Sequence, residues 1–298
     1  MDIVFVILHY MSISETVRCV NYIKNNIDTA DYHILIVDNA SENGSGKDLK
    51  MQYENEPKCS VILNDKNMGF ARGNNVGFRY AKEYFMPEYI ILLNNDVYLL
   101  EKNLYEKLNR EYQKSGFFVL GPMILTGDGR CDVNPVRTRY QDIKDIDKMI
   151  LSFKKVLRRY QYHYARAFYW MMAIINSIVF PRRKKEKKEY LSRREDVQLH
   201  GCFMAFSKSY YEVYDGLDET TFLYCEEDFL YKHMKENSHK TVYDPSILVY
   251  HEEDAATDMV VKSDRDKMIF FCKNNLASLE GLKKVYEYYN KRGEQDGK

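Results

Sequence analysis

Tyr89-Ile90-Ile91-Leu92-Leu93-Asn94-Asn95-Asp96 runs five apolar residues straight into two amides and a carboxylate. A continuous apolar run bounded by polar residues reads as a strand buried on both faces of a parallel sheet. In open α/β sheets, ligands sit beyond the carboxyl ends of the strands. Asp96 is therefore expected at such an end, where a carboxylate can hold a hard cation and, through it, phosphate oxygens. Taken alone, Asn94-Asn95-Asp96 could equally cap a helix, since Asn and Asp favour that position.

On the N-terminal side, Ile3–Leu8 reads as a first buried strand and His33–Val37 as a second, ending at Asp38-Asn39-Ala40-Ser41. Between them Ser14 is a candidate N-cap for a helix carrying Val17, Val20 and Ile23 at helical spacing. Gly44-Ser45-Gly46 reads as a loop and Val61–Leu63 as a short third strand. Asn67–Gly77 is a Gly/Asn-rich stretch leading into a helix through Tyr84. Strands alternating with helices imply a doubly wound, mostly parallel α/β sheet, with Asp38 and Asp96 on one carboxyl edge.

On the C-terminal side, residues 101–116 read as a helix and Phe117–Leu125 as a strand region broken by Gly121-Pro122. The alternation then stops until His200–Phe206, another buried run. A helix is expected over Glu226–Lys235, short strands at Thr241–Tyr243 and Ile247–Tyr250, and a helical tail from Asp264. The expected segments are 1–126 and 198–252 as two halves of one α/β domain, 127–197 as a helical basic insertion, and 253–298 as a C-terminal helical tail.

The chain has 298 residues, enough for one large or two modest domains, with 45% hydrophobic residues and a formal net charge of zero. That neutrality implies no general attraction to nucleic acid. Six cysteines lie scattered without CxxC pairing, which argues against a zinc site or disulfide framework and for a reducing cytosol. A strand begins at Ile3 with no basic stretch before it, so no cleaved signal peptide is expected.

Charge is nevertheless uneven. Residues 151–198 hold 13 Lys/Arg against 4 Asp/Glu, a net +9. Within them Ala165–Phe180 has 13 apolar residues of 16, with Arg158-Arg159 before it and Pro181-Arg182-Arg183-Lys184-Lys185 after it. A spanning helix needs about 20 apolar residues, so this run is too short. An interfacial helix on an anionic membrane surface fits, at about 1 kcal/mol per Lys/Arg near the surface. A core or homodimer-interface helix followed by a solvated charge run fits equally.

Several residue groups could carry chemistry, each with a plainer alternative. Asp38 can accept a bond from a base N–H or ribose hydroxyl, or merely close a turn. The glycines of Asn67–Gly77 allow close backbone approach and Arg72 can pair with phosphate, although neither a Walker loop nor GxGxxG spacing is present. Glu226-Glu227-Asp228 suits a helix start, yet one of these acids could deprotonate a sugar hydroxyl. His251 could bind metal, or be structural.

Together, Val37–Ser41, Asn67–Gly77, Leu92–Asp96, Gly201-Cys202-Phe203-Met204, Phe222–Asp228 and Val249-Tyr250-His251 resemble the family 2 inverting glycosyltransferases of the GT-A fold. The resemblance is strongest to the bacterial branch of rhamnosyl- and galactofuranosyltransferases, and covers roughly 1–125 and 198–252. It implies that Asp38 binds a uracil or thymine nucleotide, with Asn39, Asn67, Arg72 and Asn95 alongside. It implies that Asp96 is the last carboxylate of a DXD-like motif holding Mg²⁺ or Mn²⁺, completed by His251. Gly201 and Cys202 would line the acceptor side. The base would be Glu227 first, then Asp228 or Glu226; this chain has Glu where the family usually has Asp.

The implied partners are a nucleotide-diphospho-sugar donor, UDP- or dTDP-linked, and a saccharide or lipid-linked acceptor in cell-surface polysaccharide synthesis. The expected location is cytoplasmic, and peripheral on the inner face of the cell membrane if the basic segment is an interfacial helix. Two other functions stand beside this one. A nucleotidyltransferase would need a Gly-rich basic loop after the first strand, where this chain has His9-Tyr10-Met11-Ser12. A non-catalytic sugar-nucleotide-binding or interaction module would leave the acids of 226–228 dispensable.

Overall fold

The computed structural model describes residues 1–161, 189–252 and 264–295. The apolar segment at 165–180 and the basic run after it lie outside these residues. Strands β1 (Ile3–His9), β2 (Tyr32–Asp38), β3 (Cys59–Leu63) and β4 (Tyr89–Asn94) pair in parallel, in the order β3-β2-β1-β4. Helices α1 (Ile13–Asn26), α2 (Ser45–Gln52) and α3 (Phe70–Tyr84) make the connections. β1 shows why a continuous apolar run was needed. Ile3, Phe5 and Ile7 pack with Cys19, Val20 and Ile23 of α1 on one face. Val4 and Val6 pack with Ala71, Phe78 and Ala81 of α3 on the other. Complete burial of such aliphatic side chains is worth roughly 1.5–3 kcal/mol each.

Beyond β4 the sheet is mixed. β5 (Val97–Leu99), helix α4 (Leu104–Ser115), β6 (Val119–Thr126), helix α5 (Ile143–Gln161) and β7 (Arg194–Glu195) precede β8 (Phe203–Ser207). A short helix α6 (Lys208–Tyr211), α7 (Glu226–Glu236), β9 (Thr241–His251) and α8 (Asp264–Gln295) complete the chain. The sheet continues β4-β8-β6-β9-β5, with β7 on β9. β8 runs antiparallel to both β4 and β6, while β6 and β9 pair in parallel. β9 therefore points the same way as β4, and His251 ends on the edge that carries Asp38 and Asp96. The long tail is one helix; it packs on α5 and α7, through Leu279 and Leu282 against Ile146 and Phe229.

Several expectations are corrected. Helix α1 starts at Ile13 after Ser12, with no side-chain cap from Ser14, whose hydroxyl donates to Glu15 instead. Gly44-Ser45-Gly46 is a helix entry, with Gly44 left-handed at φ 82°. Most of Asn67–Gly77 is helix as well. Gly73 and Gly77 let α3 press onto the sheet, for a Cβ on either would collide with Leu8 or with Val6 and Val37. Gly121-Pro122 does not break β6, and the two short strands after Thr241 are one, β9, with a register shift opposite Pro122/Met123. The apolar run from Tyr89 ends at Asn94, and Asn95-Asp96 form a turn into β5 rather than a helix cap.

Candidate active site

The first corner of the site lies where β1 and β2 end. Asp38 is 5% exposed, and Ser41 closes over it, its hydroxyl donating to Oδ1 at 2.5 Å and its N–H shared between both oxygens. Gly46 at the start of α2 sits against the same carboxylate so closely that an added Cβ would overlap it. Beneath it His9 is fully buried, with Nδ1 2.7 Å from Thr16 Oγ1 and Nε2 2.8 Å from Ser45 Oγ. The Thr16 hydroxyl also lies 3.0 Å from the Ser12 carbonyl, and the Ser45 hydroxyl 2.7 Å from Asn43 Oδ1. Burial holds the imidazole down at about 4 against the pull of Asp38, so His9 is neutral near pH 7.

The second corner joins the β4–β5 turn to the end of β9. His251 Nε2 stands 3.3 Å from Asp96 Oδ1, and both residues are buried. Neither Asp96 Oδ1 nor His251 Nδ1 has a hydrogen-bond partner. Buried polar atoms are almost always paired, so these two, on residues in contact with each other, are candidates to bind a ligand. Glu252 holds the strand end in place: its N–H donates to the Asp96 carbonyl, and its carboxylate accepts from Arg18 and Tyr98. Among the described residues no group of three or more His, Cys, Asp or Glu gathers as a metal cluster. The fit is to a cation held by one carboxylate and one imidazole, with its remaining ligands coming from elsewhere, as Mg²⁺ commonly takes them from water and phosphate.

The third element is the start of α7. Tyr224 and Cys225 both take positive φ, at 75° and 70°, an uncommon pair for non-glycine residues. The bend divides the three acids. Glu226 turns inward and accepts from Thr221 Oγ1 at 3.2 Å; burial and the neighbouring Glu227 push its pKa up to about 7. Asp228 also turns inward and accepts from Gln198 Nε2 at 3.0 Å; burial and Glu227 raise it to about 6, against that bond and Arg139. Glu227 alone is only half-buried. Its Oε1 accepts from Gly201 N–H at 3.0 Å, and a Cβ on Gly201 would crowd it. The next residue, Cys202, accepts through its carbonyl from Asn94 N–H at 2.9 Å, which ties Glu227 to the strand end carrying Asp96.

The other sequence-selected residues are placed as follows. Asn39 is buried and clamps the 64–69 turn, its amide donating to Asn67 Oδ1 and the Gly69 carbonyl, its oxygen accepting from Met68 N–H. Asn95 points down, donating to the Ser12 carbonyl and Thr16 Oγ1. Arg72 is exposed and donates through Nε to the Glu219 carbonyl. Cys202 is buried in the core. His9, Ser45, Gln198 and His200 were not anticipated. His200 Nδ1 accepts from Cys202 N–H at 3.1 Å, and its ring centroid lies 5.9 Å from that of His251. Only Ser45, beside the Gly44-Ser45-Gly46 motif, carried a local signal.

Comparison with known proteins fits this geometry. The model of Glycosyl transferase family 2 matches residues 4–214. The chain belongs to that family. A curated relative, the low-salt glycan biosynthesis hexosyltransferase Agl10 of Haloferax volcanii, is 24% identical over 201 residues. The match covers 66% of this chain but only 52% of the relative, so the chain spans about half that protein's length. Among solved structures, S. aureus TarS 1–349 superposes with a TM-score of 0.51 at 12% identity, over 93% of this chain and 72% of that one. The same protein in complex with UDP-GlcNAc gives 0.52 at 12%, over 98% and 72%. At that identity the likeness is one of fold. The chain is thus a family 2 glycosyltransferase with the GT-A arrangement. Among the described residues no helix is long and apolar enough to cross a membrane.

Proposed function

We propose that this transferase moves a sugar from a UDP- or dTDP-sugar to a saccharide or lipid-linked acceptor in cell-surface polysaccharide synthesis, with inversion at the anomeric carbon. The reading rests chiefly on the pair of orphaned buried atoms, Asp96 Oδ1 and His251 Nδ1, at the sheet edge shared with Asp38 and Glu227. Asp38 takes the pyrimidine nucleoside, in a corner already shaped by Ser41, Gly46 and neutral His9. Asp96 and His251 would hold Mg²⁺ or Mn²⁺, which when bound supplies positive charge beside the donor diphosphate. Arg72 adds to that charge from α3.

Glu227 is the base. It is the most accessible of the three acids, and the Gly201 N–H holds its carboxylate in one orientation. It takes the proton of the acceptor hydroxyl as that oxygen attacks opposite the diphosphate. The buried partners of Glu226 and Asp228 suit them to holding the bend at 224–225. A single displacement needs no enzyme nucleophile. The resemblance to rhamnosyl- and galactofuranosyltransferases makes rhamnose a first donor to try.

The test is a panel of UDP- and dTDP-sugars in a donor-hydrolysis assay, with and without Mg²⁺ or Mn²⁺. Cation-dependent release of one pyrimidine diphosphate supports the reading. Turnover of a purine donor, or full activity in excess chelator, would remove the assignment of Asp38 or of Asp96 and His251.

A further inference from the structure

Between β6 and α5 the chain folds into a cleft of about 700 Å³ that the transferase reading leaves unused. Three arginines line it, Arg130, Arg137 and Arg139, together with Val136, Met149 and His200. Two acids also line it, Asp132 and Asp145. Arg130 is committed to Asp128 at 2.5 Å, and Asp145 to Lys148 at 3.1 Å. The side chains of Arg137 and Arg139 are exposed in the cleft.

The cleft is bonded directly to the catalytic end of the sheet. Val136 N–H donates to the Gln198 carbonyl at 2.8 Å, and the Gln198 side chain holds Asp228. Asn134 Oδ1 accepts from His200 N–H at 3.0 Å, and the following residue, Gly201, donates to Glu227. His200 is thus a wall of the cleft and a neighbour of His251. Arg139 is close enough to Asp228 to pull its pKa down. The wall residue His200 is followed directly by Gly201, whose N–H holds Glu227.

We propose that the cleft is the acceptor subsite and that it selects an acceptor carrying a phosphate ester or diphosphate, gripped by Arg137 and Arg139. The proposal rests on the transferase reading above and names its substrate class. A guanidinium presents paired donors that match phosphate oxygens, a geometry that a neutral oligosaccharide does not offer. The phosphate can come from a lipid-linked diphosphate or from a soluble polyol or sugar phosphate. Held there, the acceptor presents a hydroxyl to Glu227 while the donor occupies the Asp38 and Asp96 corners.

The experiment compares the full chain with Arg137→Ala/Arg139→Ala, both checked for an unchanged unfolding midpoint. UDP and dTDP binding with Mn²⁺ is measured first. Saturated with the nucleotide that binds, each protein is then titrated with glycerol 3-phosphate and with glycerol, and sedimented with phosphatidylcholine vesicles with or without a polyprenyl diphosphate. The wild type should take up a phosphate probe and not its neutral counterpart. The double variant should lose about tenfold or more in that affinity at constant nucleotide affinity, which is a loss of about 1.4 kcal/mol or more. Uptake of vesicles alone names the lipid-linked source, and uptake of glycerol phosphate the soluble one. Three results overturn the proposal: no phosphate probe binds to a wild type that binds nucleotide; the variant binds the probe as well as wild type does; or nucleotide affinity falls in parallel, placing the arginines on the donor. If the wild type binds neither nucleotide, the transferase reading fails and this one with it.

Discussion

The Asp38 corner and the Asp96 corner stand on the same sheet edge and are finished differently. At Asp38 the protein supplies its own partners: Ser41 on the carboxylate, Gly46 against it, and His9 pinned between Thr16 and Ser45. At Asp96 it supplies position and a single close contact, His251 Nε2 at 3.3 Å, because Glu252, Arg18 and Tyr98 fix the strand end while Asp96 Oδ1 and His251 Nδ1 are left without hydrogen bonds. Among the described residues four buried side-chain atoms lack a partner; a third, Gln198 Oε1, lies beside Asp228. A complete hydrogen-bond set makes a rigid, preformed pocket, and an incomplete one makes a place where a ligand recovers what folding left unsatisfied. The first corner should therefore serve stability and recognition together, and the second function almost alone.

The strongest attempt to break that contrast replaces each aspartate. Asp96→Ala should cut transfer by about 10²–10³-fold, the scale of losing a group that stabilises developing charge. Its thermal midpoint should stay at or above that of the wild type, because a carboxylate atom buried without a hydrogen bond is removed. Asp38→Ala should lower the midpoint as well as donor affinity, since it strands the Ser41 hydroxyl and N–H. Equal destabilisation by both variants in parallel melting and kinetic assays would erase the difference.

Ligand linkage should separate the corners next. A ligand at 100 times its Kd stabilises by about 2.7 kcal/mol. If Asp96 and His251 hold the cation, Mn²⁺ should raise the melting midpoint strongly when UDP or dTDP is present and weakly alone, because two protein ligands leave most of its coordination to the nucleotide and water. His251→Ala should abolish the cation-dependent part and keep the nucleotide-dependent part. A full Mn²⁺ shift without nucleotide would show that the corner binds metal unaided. A smaller effect is expected at Gly46. Overpacking typically costs about 1–3 kcal/mol, so Gly46→Ala should lower the midpoint and raise KM for the donor with kcat less affected. An unchanged midpoint and KM would mean that the Asp38 pocket is softer than its bonding suggests.

The two corners also differed in how far the chain announced them. The strands carrying Asp38, Asp96 and His251 were legible because runs such as Ile3–Leu8 and Tyr89–Leu93 are apolar without interruption. Strand direction was not, for a buried run such as Phe203–Phe206 looks the same in either sense, and here it is antiparallel. Helix α2 has Leu49 as its one apolar buried residue, too little periodicity to distinguish it from a loop. The glycines of α3 read as ligand contacts because close helix–strand packing and close ligand approach require the same missing Cβ. His9 and Gln198 act by contacts across 36 and 30 residues, which no local pattern displays. Arg137 and Arg139 were hidden by a stronger charge excess downstream.

The smallest expected effect is in pH, where the Asp38 corner and the acidic bend should pull in opposite directions. His9 has a folded pKa of about 4 against an ordinary 6.5, so between those values the unfolded chain binds the extra proton and stability rises with pH. Glu226, at about 7 against 4.5, and Asp228, at about 6 against 3.8, bind the extra proton in the folded chain. Their contribution is fully present below the unfolded value and is lost as pH rises through the folded one. A tenfold change in proton affinity between the unfolded and folded chain is worth about 1.4 kcal/mol at most, and mutual repulsion among the acids makes their effects non-additive. Glu226→Gln isolates the second slope, because glutamine mimics the protonated carboxyl and cannot ionise. Its midpoint should match the wild type at about pH 4, below the unfolded value, and exceed it at about pH 7.5, above the folded one. A constant difference across that range would mean that Glu226 binds its proton no more tightly in the folded protein than in the unfolded chain.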